Sequence, residues 1–348
     1  MPCSIIVGGQ WGDEAKGKIA SYLAFKDNVT IAARAGLGPG AGHTVCYEGR
    51  TYRFRQIPAA AVKPDTRLLL GAGVLINPEV LLDEINQYKL HDRIGIDYRA
   101  TVIEPKHVAQ EKENQHLQTV VKSTGSGHGP ALAERALRSA LRVEQISSLK
   151  RFVTDVSEEL NLACDQDEQV QVEGTNGFLL SVLYGTYPHT VAKDSTASTV
   201  AADVGLGPRR ITDVVLVFKA FPTRVGGGDF PTEIPEEEAA RRGFLEFGTV
   251  TGRRRRVGEF DFSLARQAVR VNCPSILALT FLDRLDPDCS GAGNLRREAA
   301  DFIENVEHHL SMKVDILGTG PDTFDVIDRR SLLDQLPQAI HGTSGGRR

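Results

Sequence analysis

The chain has 348 residues, 41% of them apolar and 25% charged, with a net charge of −4. This provides ample core for one large α/β domain or two modest ones. It excludes a global basic field for nucleic acid or an anionic membrane. No run of about 18 uncharged apolar residues could span a bilayer, and the start lacks the basic and long apolar regions of a signal peptide. A cytoplasmic protein is expected. Cys3, Cys46, Cys164, Cys273 and Cys289 are scattered and contain no CxxC pair, so mostly buried, reduced thiols are expected.

In chain order, a β-branched apolar run predicts a strand at Ser4–Val7, and a helix follows over Ala15–Ala24. Next come a strand at Arg67–Gly71 and helices at Pro78–Gln87, Ala131–Leu141 and Ser147–Ala163. Strands at Val170–Val172 and Asp213–Phe218 precede helices at Pro235–Arg242 and Ser263–Val271. A strand at Ser275–Thr280, a helix at Leu295–Leu310 and a strand at Val314–Leu317 complete the pattern. The alternation predicts an α/β fold, with a mostly parallel central sheet and helices on both faces. One elaborated domain over 1–340 is expected, with a flexible Gly- and Ser-rich tail at 341–348.

Gly-rich loops follow almost every strand: Gly8-Gly9, Gly36–Gly42, Gly71–Gly73, Gly125–Gly129, Gly174–Gly177, Gly226–Gly228 and Gly318–Gly320. In open α/β sheets ligands sit at the carboxyl ends of strands. Glycines there let backbone approach a large charged ligand. The first such loop is the most informative. Gly12–Lys18 has the GxxxxGK spacing of a phosphate loop between a strand and a helix. The Ser or Thr that usually follows the lysine and holds Mg²⁺ is Ile19. Another oxygen must hold the metal, and Asp13 is the candidate inside the loop.

Gly9-Gln10-Trp11-Gly12-Asp13-Glu14-Ala15-Lys16-Gly17-Lys18 resembles the N-terminal loop of adenylosuccinate synthetases. Ala41-Gly42-His43-Thr44, Ser123-Thr124-Gly125, Gly129-Pro130-Ala131, Val172-Glu173-Gly174 and Gly185-Thr186-Tyr187-Pro188 resemble that family's later motifs. So do Phe221–Gly226, Gly248–Arg256 and Gly318–Asp322, so that nearly the whole chain is covered. The length is similar to the compact archaeal and phage forms.

The resemblance implies a ligase that phosphorylates O6 of a 6-oxopurine nucleotide and then displaces the phosphate with L-aspartate. It implies Asp13 as the base at N1, His43 as general acid and phosphoryl stabiliser, and Lys18 on the triphosphate. Gly12, Glu14, Ala15, Lys16, Gly17, Gly42 and Thr44 would complete the donor phosphate site. Asp283, Gly318 and Gly320 would hold the donor base, the Asp283 carboxylate favouring guanine. Asp13 and the Gly42 carbonyl would bind Mg²⁺. The acceptor nucleotide would meet Asp13, Gly40, Ser123, Thr124, Asn176, Val191 and Arg253. Arg138 would reach the 5′-phosphate of a neighbouring subunit in a homodimer. Aspartate would lie against Thr249, Val250, Thr251, Arg253 and Arg255, where arginine forks suit its two carboxylates.

Several positions depart from the family's pattern. Gly40 replaces Asn, Asn176 replaces Gln, Val191-Ala192 replaces Thr-Ser, Ala15 replaces Gly, Phe281 replaces Lys and Glu259 replaces Trp. Shorter side chains at 40 and 176 are expected to make room for a 2-amino group. This favours dGMP as acceptor, as in a phage branch of the family that would act in host cytoplasm. The alternative is an ordinary enzyme using IMP and GTP. Phe281 leaves ATP or dATP open as donor, since an aromatic ring stacks on any purine. A GTPase switch would need the loop Ser/Thr and an Asn-Lys-x-Asp motif, both missing, and the retained Asp13, His43, Lys18 and Arg253 argue against a dead nucleotide-binding protein.

Overall fold

The computed structural model describes residues 3–247, 252, 254–291 and 295–330. Its centre is a ten-stranded sheet. In spatial order the strands are Val326–Asp328, Ile316–Gly318, Ile276–Thr280, Asp213–Lys219, Cys3–Gly8, Val170–Glu173, Ile31–Arg34, Arg67–Leu70, Ile94–Asp97 and Val153–Thr154. All neighbours pair in parallel except the antiparallel edge strand Val326–Asp328. The six expected strands all lie in this sheet. The first strand is central, so its following loop opens at the middle of the sheet's carboxyl edge.

Strand residues alternate between two apolar layers, as a period of two requires. Ile5 and Val7 enter one layer and Ile6 the other. Leu216, Leu277 and Leu279 join Ile5, whereas Val215, Val217 and Ala278 join Ile6. Burial on both faces explains why these strands read as continuous apolar runs.

Helices begin where side chains can accept the first free amides. Asn77 caps Pro78–Tyr88 and Asp261 caps Phe262–Asn272. The continuous helix expected over Ser147–Ala163 is corrected. A 3₁₀ turn at Ser147–Phe152 leads into the edge strand Val153–Thr154, and Asp155 then caps Val156–Asp165. Two β-branched residues and a capping Asp favour that break. The helix expected at Ala131–Leu141 runs instead from His128 to Ala136, and Arg138 beyond it is left-handed at φ 65°. An unexpected hairpin joins His43–Tyr47 to Arg50–Phe54, turning at Glu48-Gly49, both with positive φ.

All five cysteines are free, with Cys3, Cys164 and Cys289 buried and Cys273 exposed. Among the described residues no helix is long and apolar enough to cross a membrane. The 341–348 tail lies outside the described residues.

Candidate active site

The phosphate loop leaves the first strand at Gly8 and enters helix Lys16–Lys26 through Ala15, which is left-handed at φ 57°. Glu14 holds the loop's shape. Its buried Oε1 accepts from the backbone N–H of Gln10 at 2.9 Å and Gly12 at 2.8 Å, while Oε2 pairs with Lys16 Nζ at 2.7 Å. The Glu14 side chain therefore faces inward, and its charge is met by Lys16. Gly177 closes the loop from outside. A Cβ there would lie 2.4 Å from the Gln10 carbonyl oxygen and 2.6 Å from the Gly12 nitrogen.

Asp13 is the loop's other acid. Oδ1 lies 3.0 Å from Arg255 Nη2, and Oδ2 accepts from Thr223 Oγ1 at 3.2 Å. Burial raises its pKa, against the pull of Arg255 and Lys219. The Arg255 guanidinium also reaches Glu246 at 2.6 Å, and Glu246 takes Lys219 Nζ at 2.7 Å. Lys219 lies over the rings of Phe281, at 4.2 Å, and Phe221. Phe281 meets Phe221 edge-on, so this ring is engaged within the protein.

His43 opens the hairpin, and its Nδ1 meets Glu173 Oε1 in a short contact and Arg34 Nη1 at 2.6 Å. Arg34 and Glu173 are fully buried and paired at 2.5 Å, and Glu173 Oε2 accepts from Ala59 N–H at 2.6 Å. Burial and Arg34 hold the imidazole pKa down to about 4 against the opposing effect of Glu173, so the ring is neutral near pH 7. With Nδ1 held on this side, the ring's other nitrogen is available to a ligand.

Lys18 differs from the expected reach toward a terminal phosphate. Its ammonium is buried against the backbone carbonyls of Gly320, Asp322 and Asp325, the last two at 2.7 and 2.8 Å, and burial lowers its pKa to about 8. Three carbonyls offset the cost of burying the cation. Gly320 marks a close approach there: a Cβ at 320 would lie 2.5 Å from the Asp325 carboxylate, whereas one at Gly318 would lie 3.3 Å from Thr280 Cα. Asp283 lies on the short Leu282–Leu285 turn nearby, its pKa raised by burial.

Two clefts meet at this loop. The smaller, about 290 Å³, is lined by Gly12, Asp13, Ala15, Lys16, Gly17, Gly42, His43 and Thr44, with Glu246, Phe247, Arg255 and Phe281. The larger, about 440 Å³, shares Gly12, Asp13, Gly42, His43 and Arg255 and adds Gly40, Ser123, Thr124, His128, Asn176 and Val191. Lys18, Asp283, Gly318 and Gly320 line neither. Arg138 is exposed away from both. Thr249, Val250, Thr251 and Arg253 lie outside the described residues. Arg254 and Arg256 pair with Glu236 and Glu233, whereas Arg255 enters the site.

Asp13 and the Gly42 carbonyl line the same small cleft and are hard oxygen donors, the chemistry Mg²⁺ requires. A magnesium ion takes the rest of its octahedron from water and phosphate. Sequence reading left out Arg34, Glu173, Glu246, Lys219 and His128 as individual site residues. Charged residues at the carboxyl ends of buried strands were the available signal for Arg34, Glu173 and Lys219.

A phosphate loop whose carboxylate lies on the wall between two clefts fits a nucleotide-dependent ligase. The chain matches the adenylosuccinate synthetase family profile over residues 5–152 and 144–290. It is 50% identical to the adenylosuccinate synthetase of Pyrococcus horikoshii over 96% of this chain and 100% of the relative. With the Methanocaldococcus jannaschii enzyme the identity is 50% over 96% and 98%. In three dimensions it resembles fully ligated adenylosuccinate synthetase from Plasmodium falciparum, with a TM-score of 0.85, 23% identity and coverage of 94% and 99%. It also resembles the cyanophage S-2L succinoaminodeoxyadenylate synthetase bound to dGMP and dATP, with a TM-score of 0.79, 26% identity and coverage of 96% and 97%. The chain belongs to the adenylosuccinate synthetase family, whose reaction is the ligation of a C–N bond.

Proposed function

We propose that this chain joins L-aspartate to C6 of IMP with GTP as phosphoryl donor, releasing adenylosuccinate, GDP and phosphate. The support is the 50% identity to archaeal enzymes called adenylosuccinate synthetase, against 26% to the phage enzyme bound to dGMP. The observation that carries the choice is at Gly40. A Cβ at that position would lie 2.4 Å from His128 Cε1, so the volume expected to admit a 2-amino group is filled by a ring. Asn176 is left-handed at φ 62°, a conformation in which Asn is among the best tolerated residues, so its backbone gives a separate reason for the residue. The dGMP expectation is replaced accordingly.

In this reading the larger cleft takes IMP and the smaller one the triphosphate. Asp13, on the shared wall, removes the N1 proton, and O6 then attacks the γ-phosphoryl group as the bond to GDP breaks. Its raised pKa strengthens it as a base. In the tautomer in which Nδ1 accepts from Arg34, His43 donates a hydrogen bond from Nε2 to the transferring group. Mg²⁺, when bound, neutralises charge on the triphosphate. Arg255 releases Asp13 and takes an aspartate carboxylate, orienting the amine for attack on C6, from which phosphate leaves. Arg138, exposed beyond its helix, serves a neighbouring subunit in a homodimer. An absorbance assay with Mg²⁺, aspartate and GTP compares IMP with dGMP. Turnover of IMP is expected; turnover of dGMP with little on IMP would overturn the proposal.

A further inference from the structure

His128 is 5% exposed, lines the larger cleft, and its Nε2 is buried with no hydrogen-bond partner. Leaving such a nitrogen unpaired costs about 1–3 kcal/mol. An unpaired group in a cleft wall is accounted for when a ligand completes it. Glycine at 40 is what allows this placement. The two ring nitrogens would lie only 3.3 and 3.4 Å from a Cβ at 40, and Cε1 nearer still, so no other residue at 40 leaves the ring where it is.

His128 is also the first residue of the nine-residue helix His128–Ala136. Gly127, before it, is left-handed at φ 82° and offers no side-chain cap. Pro130 has no N–H to satisfy. The positive end of the helix dipole thus stands uncapped beside the unpaired imidazole. There is space at the helix end, because a Cβ at Gly129, which lines the same cleft, would meet nothing within 4 Å. Burial and the nearby Arg55 hold the imidazole pKa down to about 4, so the ring is a neutral hydrogen-bonding group at neutral pH. Arg55 itself donates from Nε to the Pro39 carbonyl at 2.9 Å, which keeps a cation near the ring.

We propose that His128, placed by the glycine at 40, is a binding residue for the acceptor nucleotide and donates a hydrogen bond to its 5′-phosphate at the N-terminus of helix His128–Ala136. The proposal rests on the reading that the larger cleft takes the acceptor, and it holds for either purine base.

The test is calorimetric titration of IMP, and separately of inosine, into the wild-type protein, His128→Ala, His128→Gln and Gly40→Ala. The wild type is expected to bind IMP more tightly than inosine. His128→Ala loses roughly ten- to a hundredfold in IMP affinity, the size of one hydrogen bond to a charged group, and leaves inosine affinity unchanged. His128→Gln keeps a donor and recovers part of the loss. Gly40→Ala leaves the imidazole in the chain but displaces it, and reproduces the loss. Unchanged IMP affinity in His128→Ala, or equal weakening of IMP and inosine, would overturn the assignment. If His128→Ala does not fold, Gln and Gly40→Ala decide by the same IMP-to-inosine ratio. Titration of dGMP against deoxyguanosine repeats the measurement with the other base. A wild type that turns over dGMP alone therefore removes the IMP reading and leaves the phosphate contact to stand or fall by itself.

Discussion

Arg255 Nη2 lies 3.0 Å from Asp13 Oδ1 and on its other side reaches Glu246, so one guanidinium ties the acid of the phosphate loop to a second carboxylate, itself paired with buried Lys219. Breaking this network at Glu246 leaves Lys219 and Arg255 without their shared partner. Glu246→Gln is expected to destabilise the protein by about 3–5 kcal/mol, as loss of one member of a buried pair does. Chemical denaturation measures it, and a change below about 1 kcal/mol would show that solvent reaches these groups.

Asp13→Asn keeps the size of the side chain and removes the base. A fall in kcat of roughly 10²–10⁴ is expected, with a melting temperature that does not fall, because burial already disfavours the charged carboxylate. Because burial raises the Asp13 pKa, wild-type activity declines as pH falls through a value above the ordinary Asp range. A pH profile of kcat/KM with its acid limb at or below about 4 would contradict this account.

Glu14→Gln removes the charge that offsets buried Lys16 and weakens the bonds to the Gln10 and Gly12 amides. Both the melting temperature and nucleotide binding should drop. Loss of one without the other would separate the loop's shape from its stability.

Lys18→Met strands the carbonyls of Gly320, Asp322 and Asp325. Weaker GTP binding is expected, because this lysine seats the Gly318–Gly320 segment expected to hold the donor base, with IMP binding retained, since those carbonyls lie outside the larger cleft. Fluorescent nucleotide titration reports both affinities.

His128 makes stability depend on pH. Its folded pKa of about 4 lies below the ordinary value of 6.5, so on acidification the unfolded chain takes the proton first. Its contribution is fully present above about pH 6.5 and is lost as pH falls toward 4, amounting to no more than about 3 kcal/mol. The melting temperature of the wild type should fall more steeply across that window than that of His128→Gln. Parallel curves would place the charge elsewhere.

The sheet was legible because its strands are buried on both faces, and continuous runs such as Asp213–Phe218 carry that signature. Short strands were not. Ile31–Arg34 ends on a charge, and Val153–Thr154 sits inside a helical periodicity. The phosphate loop was legible as a motif, and Asp13, His43 and Gly42 do converge with it. Side-chain direction was not legible. Lys18 and Glu14 belong to the motif, yet one faces a carbonyl ring about 300 residues later in sequence and the other faces its own loop. Gly40 shows the same limit, since the space a glycine leaves depends on what a distant helix puts into it.

The strand that begins the chain is the sheet's sixth from one edge and fifth from the other, between Val170–Glu173 and Asp213–Lys219. A nascent chain therefore carries its earliest apolar strand unpaired until residues beyond 170 have left the ribosome. Assembly cannot proceed from the first residues outward; it has to close around them. The anchor for Lys18 is made later still, from backbone at 320–325. A polypeptide halted just short of that segment would carry the complete N-terminal phosphate motif with no seat for its lysine, which makes the synthesis of that segment the step that completes the site.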